Sequence, residues 1–128
     1  MRNQRQKNSA LKKDRPVLGL HEYVEFITDH KTEKFLAKID TGAARSSVDY
    51  DIVEKLKLGP HFKKVKVKSA LGHQERPVIK ARIKIKGIIV DTTFSISRRH
   101  HLKRKVLIGV NTLKEINALV DPTKDIEE

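Results

Sequence analysis

The segment AKIDTGAARSS, residues 37–47, sets one acid at the end of an apolar run and follows it with Thr, Gly and a string of small residues. An Asp so placed has two uses. It can begin a turn or cap a helix, because a short carboxylate accepts backbone N–H groups and glycine turns tightly. It can also act as an acid or base, which needs an accessible carboxylate on a fixed backbone. The setting points to chemistry. Ala43, Ala44, Ser46 and Ser47 keep the following backbone accessible, and a second buried run ending in glycine, VLIGV, lies far downstream.

Other reactive constellations are missing from the sequence. There is no Cys, which excludes a disulfide framework and a thiolate metal site. There is no H-E-x-x-H, and a zinc site needs three or four convergent ligands. His100 and His101 are adjacent, so on a strand they would point to opposite faces. No Walker-type glycine loop is present. Neither zinc nor ATP, and no other cofactor, is expected.

The elements that must carry Asp40 follow from periodicity. VLGLHEYVEFI alternates Val24 and Phe26 against Tyr23, Glu25 and Ile27, a strand pattern, and KFLAKID is a second strand after a polar turn. The two form a hairpin that delivers Asp40 at its far end. VDYDIVEKLKLG carries Ile52, Val53, Leu56 and Leu58 at near-helical spacing, with Asp49 or Asp51 as N-cap and Gly59 as the stop. KKVKVKSA and VIKARIKIKG alternate Lys or Arg with apolar residues and flank a turn, LGHQERP. IIVDTTFSIS and VLIGV are strands, RRHHLKRK a basic loop or edge, NTLKEI a helical turn with Asn111 as candidate cap, and NALVDP the last strand. About seven short strands and one or two short helices indicate a mostly β barrel or sandwich. No βαβ alternation supports a parallel sheet.

The chain has 128 residues, 34% charged and 38% hydrophobic, enough for one domain with a modest core. We expect a basic disordered tail at residues 1–15, a folded domain at 16–122 and an acidic tail at 123–128. No apolar run approaches a membrane span and no signal-peptide core is evident, so the expectation is a soluble cytoplasmic protein without a membrane partner. The net charge of +12 favours acidic partners, whereas aromatics at 5% offer few platforms for stacking on bases.

Taken together, these segments resemble the retropepsin-like aspartic peptidases. Ile39-Asp40-Thr41-Gly42-Ala43 and Leu107-Ile108-Gly109 are the two elements that define the likeness. More narrowly, the chain is similar to a domain family often labelled "ATP-dependent zinc protease". That similarity rests on Gly19, Glu22 and Val24, on Ser69, Gly72, Arg76, Pro77, Val78 and Ile79, and on Arg99 and the terminal L-V-D-P. It departs from the bacterial pattern at Arg98, at Val110 and in the KRK run that replaces a proline.

The resemblance implies a retropepsin-like closed barrel that forms one subunit of a two-fold dimer. It implies an aspartic endopeptidase in which two Asp40 carboxylates share one proton and activate a water. Thr41 would bond across the dimer axis, and Gly42 would let its N–H approach the carboxylate. Ala43, unlike Ser or Thr, cannot donate to Asp40. The hairpin at Leu71, Gly72 and His73 would be a flap over substrate, with His73 a surface residue at its tip. Arg45, Arg76 and Arg99 would favour carboxylates, and Ile108 would line the cleft. The substrate would be a peptide or protein, acidic or glutamate-rich. Two other readings stay open: the same fold as a non-catalytic dimerisation or adaptor module, and a basic protein that contacts nucleic acid through its tail or RRHHLKRK.

Overall fold

The computed structural model describes residues 15–69 and 72–126. Nine strands and two helices occur among them: β1 (Val17–Leu18), β2 (His21–Ile27), β3 (Thr32–Ile39), β4 (Ser46–Asp49), α1 (Tyr50–Leu56), β5 (His61–Ser69), β6 (Gly72–Ile85), β7 (Ile88–Ser97), β8 (Val106–Ile108), α2 (Val110–Glu115) and β9 (Leu119–Val120). The expected basic tail falls outside the described residues apart from Arg15, whose Nε donates to Asn117 O at 2.9 Å.

The sheet order is β2-β3-β8-β4-β7-β6-β5, and an extra β2–β6 pairing closes six of these strands into a barrel. Closure removes the edges that β2 and the barrel part of β6 would otherwise expose, and leaves β5 as the edge strand. Inward residues alternate with outward ones, so β2 buries Glu22, Val24 and Phe26. Phe26 and Phe94 meet inside the barrel with ring centroids 5.3 Å apart, and Phe35 approaches Phe26 edge-on at 5.9 Å. Fully burying a side chain of this size contributes about 1.5–3 kcal/mol.

β6 does two jobs along its 14 residues. From Val78 to Ile85 it pairs with β7 and belongs to the barrel. From Gly72 to Pro77 its partner is β5 alone, so the β5–β6 hairpin extends from the barrel as an arm about 20 Å long. Gly72, at φ +109°, starts the returning strand in a conformation that disfavours a side chain.

Several expectations need correction. Most of LGHQERP is strand and not turn: β6 begins at Gly72, and residues 70–71 lie outside the described residues. α1 is capped by Asp49 as expected, but it stops at Lys57, which adopts the left-handed conformation (φ 54°) while Leu58 N–H donates to Val53 O at 3.0 Å. Gly59 lies beyond that reversal. α2 begins at Gly109, so Asn111 is inside the helix and its side chain is used elsewhere. Three strand pairs are parallel: β1–β9, β3–β8 and β4–β7.

Candidate active site

The Asp40 loop is made by two parallel strands that end level with each other. Ile39 of β3 pairs with Ile108 of β8, and Asp40 N–H extends the ladder to Ile108 O at 2.9 Å. Both chains then turn at once, one into residues 40–45 and the other into α2. The first N–H groups of a helix have no partner within it. Here the loop supplies them: Val110 N–H donates to Ala43 O at 2.8 Å and Asn111 N–H to Ala44 O at 3.2 Å. Gly109 makes the contact close enough. A Cβ there would stand 2.6 Å from Arg45 C and 2.8 Å from Ala43 O.

Within the loop, Gly42 N–H donates to Asp40 Oδ1 at 2.9 Å, and Ala43 N–H to Asp40 O at 3.2 Å. The carboxylate is thereby fixed in direction while staying only half-buried, with Thr41 and Gly42 exposed beside it. A polar network braces the loop from below. Asn111 Oδ1 accepts from Ser46 N at 2.7 Å and from Ser46 Oγ at 3.1 Å, and Asn111 Nδ2 donates to Thr93 O at 2.9 Å. Ser46 Oγ also lies 2.6 Å from Thr112 Oγ1 and accepts from Gly109 N at 2.9 Å. Ser46 and Thr112 are fully buried, where unpaired hydroxyls would be costly.

Arg45 is half-buried and directs Nη1 to Thr93 Oγ1 at 2.8 Å, which makes it a brace of this network. Arg99 and Arg76 are held differently. Asp49, 1% exposed, accepts Asp51 N–H at Oδ2 and Arg99 N–H at Oδ1, so one carboxylate caps α1 and fastens the loop at residues 98–105. Burial depresses the pKa of the Arg99 guanidinium, and the neighbouring Arg76 charge depresses it further, whereas Asp49 and Asp40 oppose both. Asp40, Asp49, Arg76 and Arg99 thus lie in one electrostatic neighbourhood, although they are far apart in sequence. Arg99 remains cationic, since its ordinary value is so high.

Of the other expected site residues, Gly72 and His73 are exposed on the arm, and Leu71 lies outside the described residues. Ile108 is corrected. It is 0% exposed and part of the core, because all three residues of β8 are covered, so its side chain faces no cleft. His100 and His101 lie in a turn of the basic loop, with rings edge-to-face at 5.4 Å. Among the described residues, no three His, Asp or Glu side chains converge as a metal site would require. A cavity of about 600 Å³ lies elsewhere, lined by Ile27, Asp29, Pro60, Lys80 and Arg82, and holds none of the candidate residues. The roles of Ser46, Asn111 and Thr112 escaped the sequence reading, since partners 65 or more positions apart leave no local signal.

Among solved structures, the chain is similar to the protein Lpg0085, of unknown function (DUF785), from Legionella pneumophila subsp. pneumophila str. Philadelphia 1. The TM-score is 0.65 at 19% identity, covering 87% of this chain and 96% of that one. It is also similar to EIAV protease complexed with the inhibitor HBY-793, with a TM-score of 0.60 at 21% identity, covering 83% of this chain and 91% of that one. These likenesses establish the retropepsin-like fold. No curated protein matches the chain significantly. Residues 54–127 match the model of the RimB-like family, described as "retropepsin-like aspartic endopeptidase RimB". The matched segment runs from α1 through the arm, the basic loop and α2, and begins after Asp40. Because it spans more than half of the sequence, the chain belongs to the RimB-like family of retropepsin-like aspartic endopeptidases.

Proposed function

We propose that residues 16–122 form one half of a homodimeric aspartic endopeptidase, in which Asp40 of each chain supplies one of two catalytic carboxylates. The observation that carries this reading is the Asp40 loop itself. Its carboxylate is aimed by Gly42 N–H, clamped to α2 through Gly109 and left open to a partner. One Asp40 per chain calls for two-fold pairing. The surroundings support such a partner: Val17, Leu20 and Leu119 are exposed apolar side chains. Val17 pairs with Leu119, while Leu20 O accepts Ile39 N–H beside the loop.

In the dimer, two carboxylates a few ångströms apart share one proton. The ionised one takes a proton from water, and the water oxygen attacks the scissile carbonyl carbon. The protonated one donates to the carbonyl oxygen as it becomes negative, and the leaving amine is then protonated as the tetrahedral intermediate collapses. Thr41 bridges the two loops across the axis, and the arms carrying Gly72 and His73 close over the peptide. Arg76 and Arg99 select acidic side chains. Support comes from their mutual proximity and from the lack of any ion pair for Arg76 among the described residues.

The test is cleavage of a peptide mixture, including glutamate-rich peptides, read by mass spectrometry from about pH 4 to 8. Cuts made by the wild type and lost in Asp40→Ala support the reading. No cuts from a dimeric protein would favour the adaptor alternative. Ala43→Ser gives a second, independent check. A serine hydroxyl donating to Asp40 favours its ionised form and lowers its pKa. The base form then survives to lower pH, so the acidic limb of the pH–rate profile moves downward. An unmoved limb would mean that residue 43 does not reach the carboxylate.

A further inference from the structure

Seven of the eight residues at 98–105 are Arg, Lys or His, a composition that repels itself in any compact loop. The loop is nevertheless folded, and the cation at its end folds it. The Lys105 side chain turns back so that Nζ donates to Arg99 O at 3.2 Å, to Leu102 O at 3.0 Å and to His100 O. An ammonium has three N–H donors and no acceptor, so the three carbonyls use its full capacity. Without it, the three carbonyls would have only water to tie them together. Asp49 fastens both ends: its Oδ1 accepts Arg99 N–H, and its N–H donates to Lys105 O at 2.9 Å. The closed loop then brings Arg104 O within 3.1 Å of Arg99 Nε, which fixes the direction of the guanidinium.

We infer that Lys105 is a positioning residue: its ammonium, ringed by three backbone carbonyls, holds the loop that aims Arg99 at an acidic side chain of the substrate. The geometric part rests on the hydrogen bonds alone. The substrate part rests on the peptidase reading above. Lys105→Met keeps the length of the side chain and removes the donors. Lys105→Arg keeps the charge, but a planar guanidinium cannot offer one nitrogen to three carbonyls.

The experiment uses both variants of the full chain. The first readout is the Arg99 Nε–H resonance by NMR, assigned by its loss in Arg99→Gln. Exchange of this proton with water is expected to quicken about tenfold or more in Lys105→Met, and also in Lys105→Arg if the first variant does not fold. Unchanged exchange would overturn the inference, whether or not the protein cuts peptides. The second readout is kinetic. KM for a glutamate-containing peptide is expected to rise about tenfold in Lys105→Met with kcat nearly unchanged, and the rise should vanish in an Arg99→Gln background. Effects that multiply would show that Lys105 does not act through Arg99. A wild type that cuts no peptide would count against the peptidase reading, and the NMR readout would still decide the inference.

Discussion

Asp40→Asn is expected to reduce peptide cleavage by about 10²–10⁴-fold, the range that a positioned acid or base contributes. The amide keeps the shape of the side chain, and its oxygen can still accept the Gly42 N–H that meets Oδ1 at 2.9 Å. It cannot take a proton from water or share one with a second carboxylate. The melting temperature and the dimer should therefore be retained while turnover is lost. The check pairs calorimetry with single-turnover cleavage of one identified peptide. Full activity in the variant would remove Asp40 from the chemistry and place the cleavage on other residues.

Gly109→Ala should have the largest effect on stability. The Gly109 backbone, at φ −102° and ψ −174°, is open to any residue, so the cost is steric and not conformational. The added Cβ would fall 2.6 Å from Arg45 C and 2.8 Å from both Ala43 O and Arg45 O. All three are backbone atoms: Ala43 O is held by Val110 N–H, and the Arg45–Ser46 peptide is held by the bond from Ser46 N–H to Asn111 Oδ1, so none can rotate away. Overpacking of this kind typically costs about 1–3 kcal/mol, and a rigid backbone contact puts it at the upper end. For a domain of this size, about 3 kcal/mol lowers Tm by roughly 10 °C. Activity should fall too, since relief of the contact has to shift the Asp40 loop. Thermal unfolding measures the first effect, and kcat of the fraction still folded measures the second. A Tm within a degree or two of wild type would show that the loop does not rest on Gly109.

Comparing these two residues shows what the sequence could disclose. Asp40 was legible because an apolar strand, a turn glycine and small residues are all local signals, and the β2–β3 hairpin that carries it alternates cleanly. Gly109 was legible only as the end of a buried run. Its contact with Ala43 and Arg45 depends on β3 and β8 pairing in parallel, and parallel partners are set by the whole barrel. β4 was missed for a related reason. All four of its residues are buried, so Ser46–Asp49 shows no alternation to read. Ile108 was assigned to a cleft through the resemblance alone, although VLIGV by itself reads as a buried strand, and all three residues of β8 are covered. Lysines on β5 and β6 alternate with apolar residues, so those strands were plain. The length of the arm was not, because LGHQERP has turn composition and yet pairs with β5 from Gly72 onward.

The site's second layer was the least legible. Asp49 was recognised as a helix cap through one oxygen, but its other oxygen serves Arg99, 50 residues later. Arg76 and Arg99 were grouped through resemblance to a family, not through spacing. The Arg76 and Asp40 charges both act on Arg99, although the three residues sit on elements far apart in sequence. The lysine ring of carbonyls at Lys105 had no sequence signal, since one more Lys in a basic run looks like solvated surface.

The central claim is that two Asp40 carboxylates, one from each chain, make one active site. Subunit mixing tests it most directly. Wild type and Asp40→Asn protein are unfolded together in equal amounts, refolded and assayed on one peptide at fixed total protein. If both carboxylates are needed, only wild-type pairs cut, and activity falls to about a quarter of the unmixed wild type, following the square of its fraction. Activity of about one half, linear in the wild-type fraction, would mean that each chain works alone and would contradict the shared site.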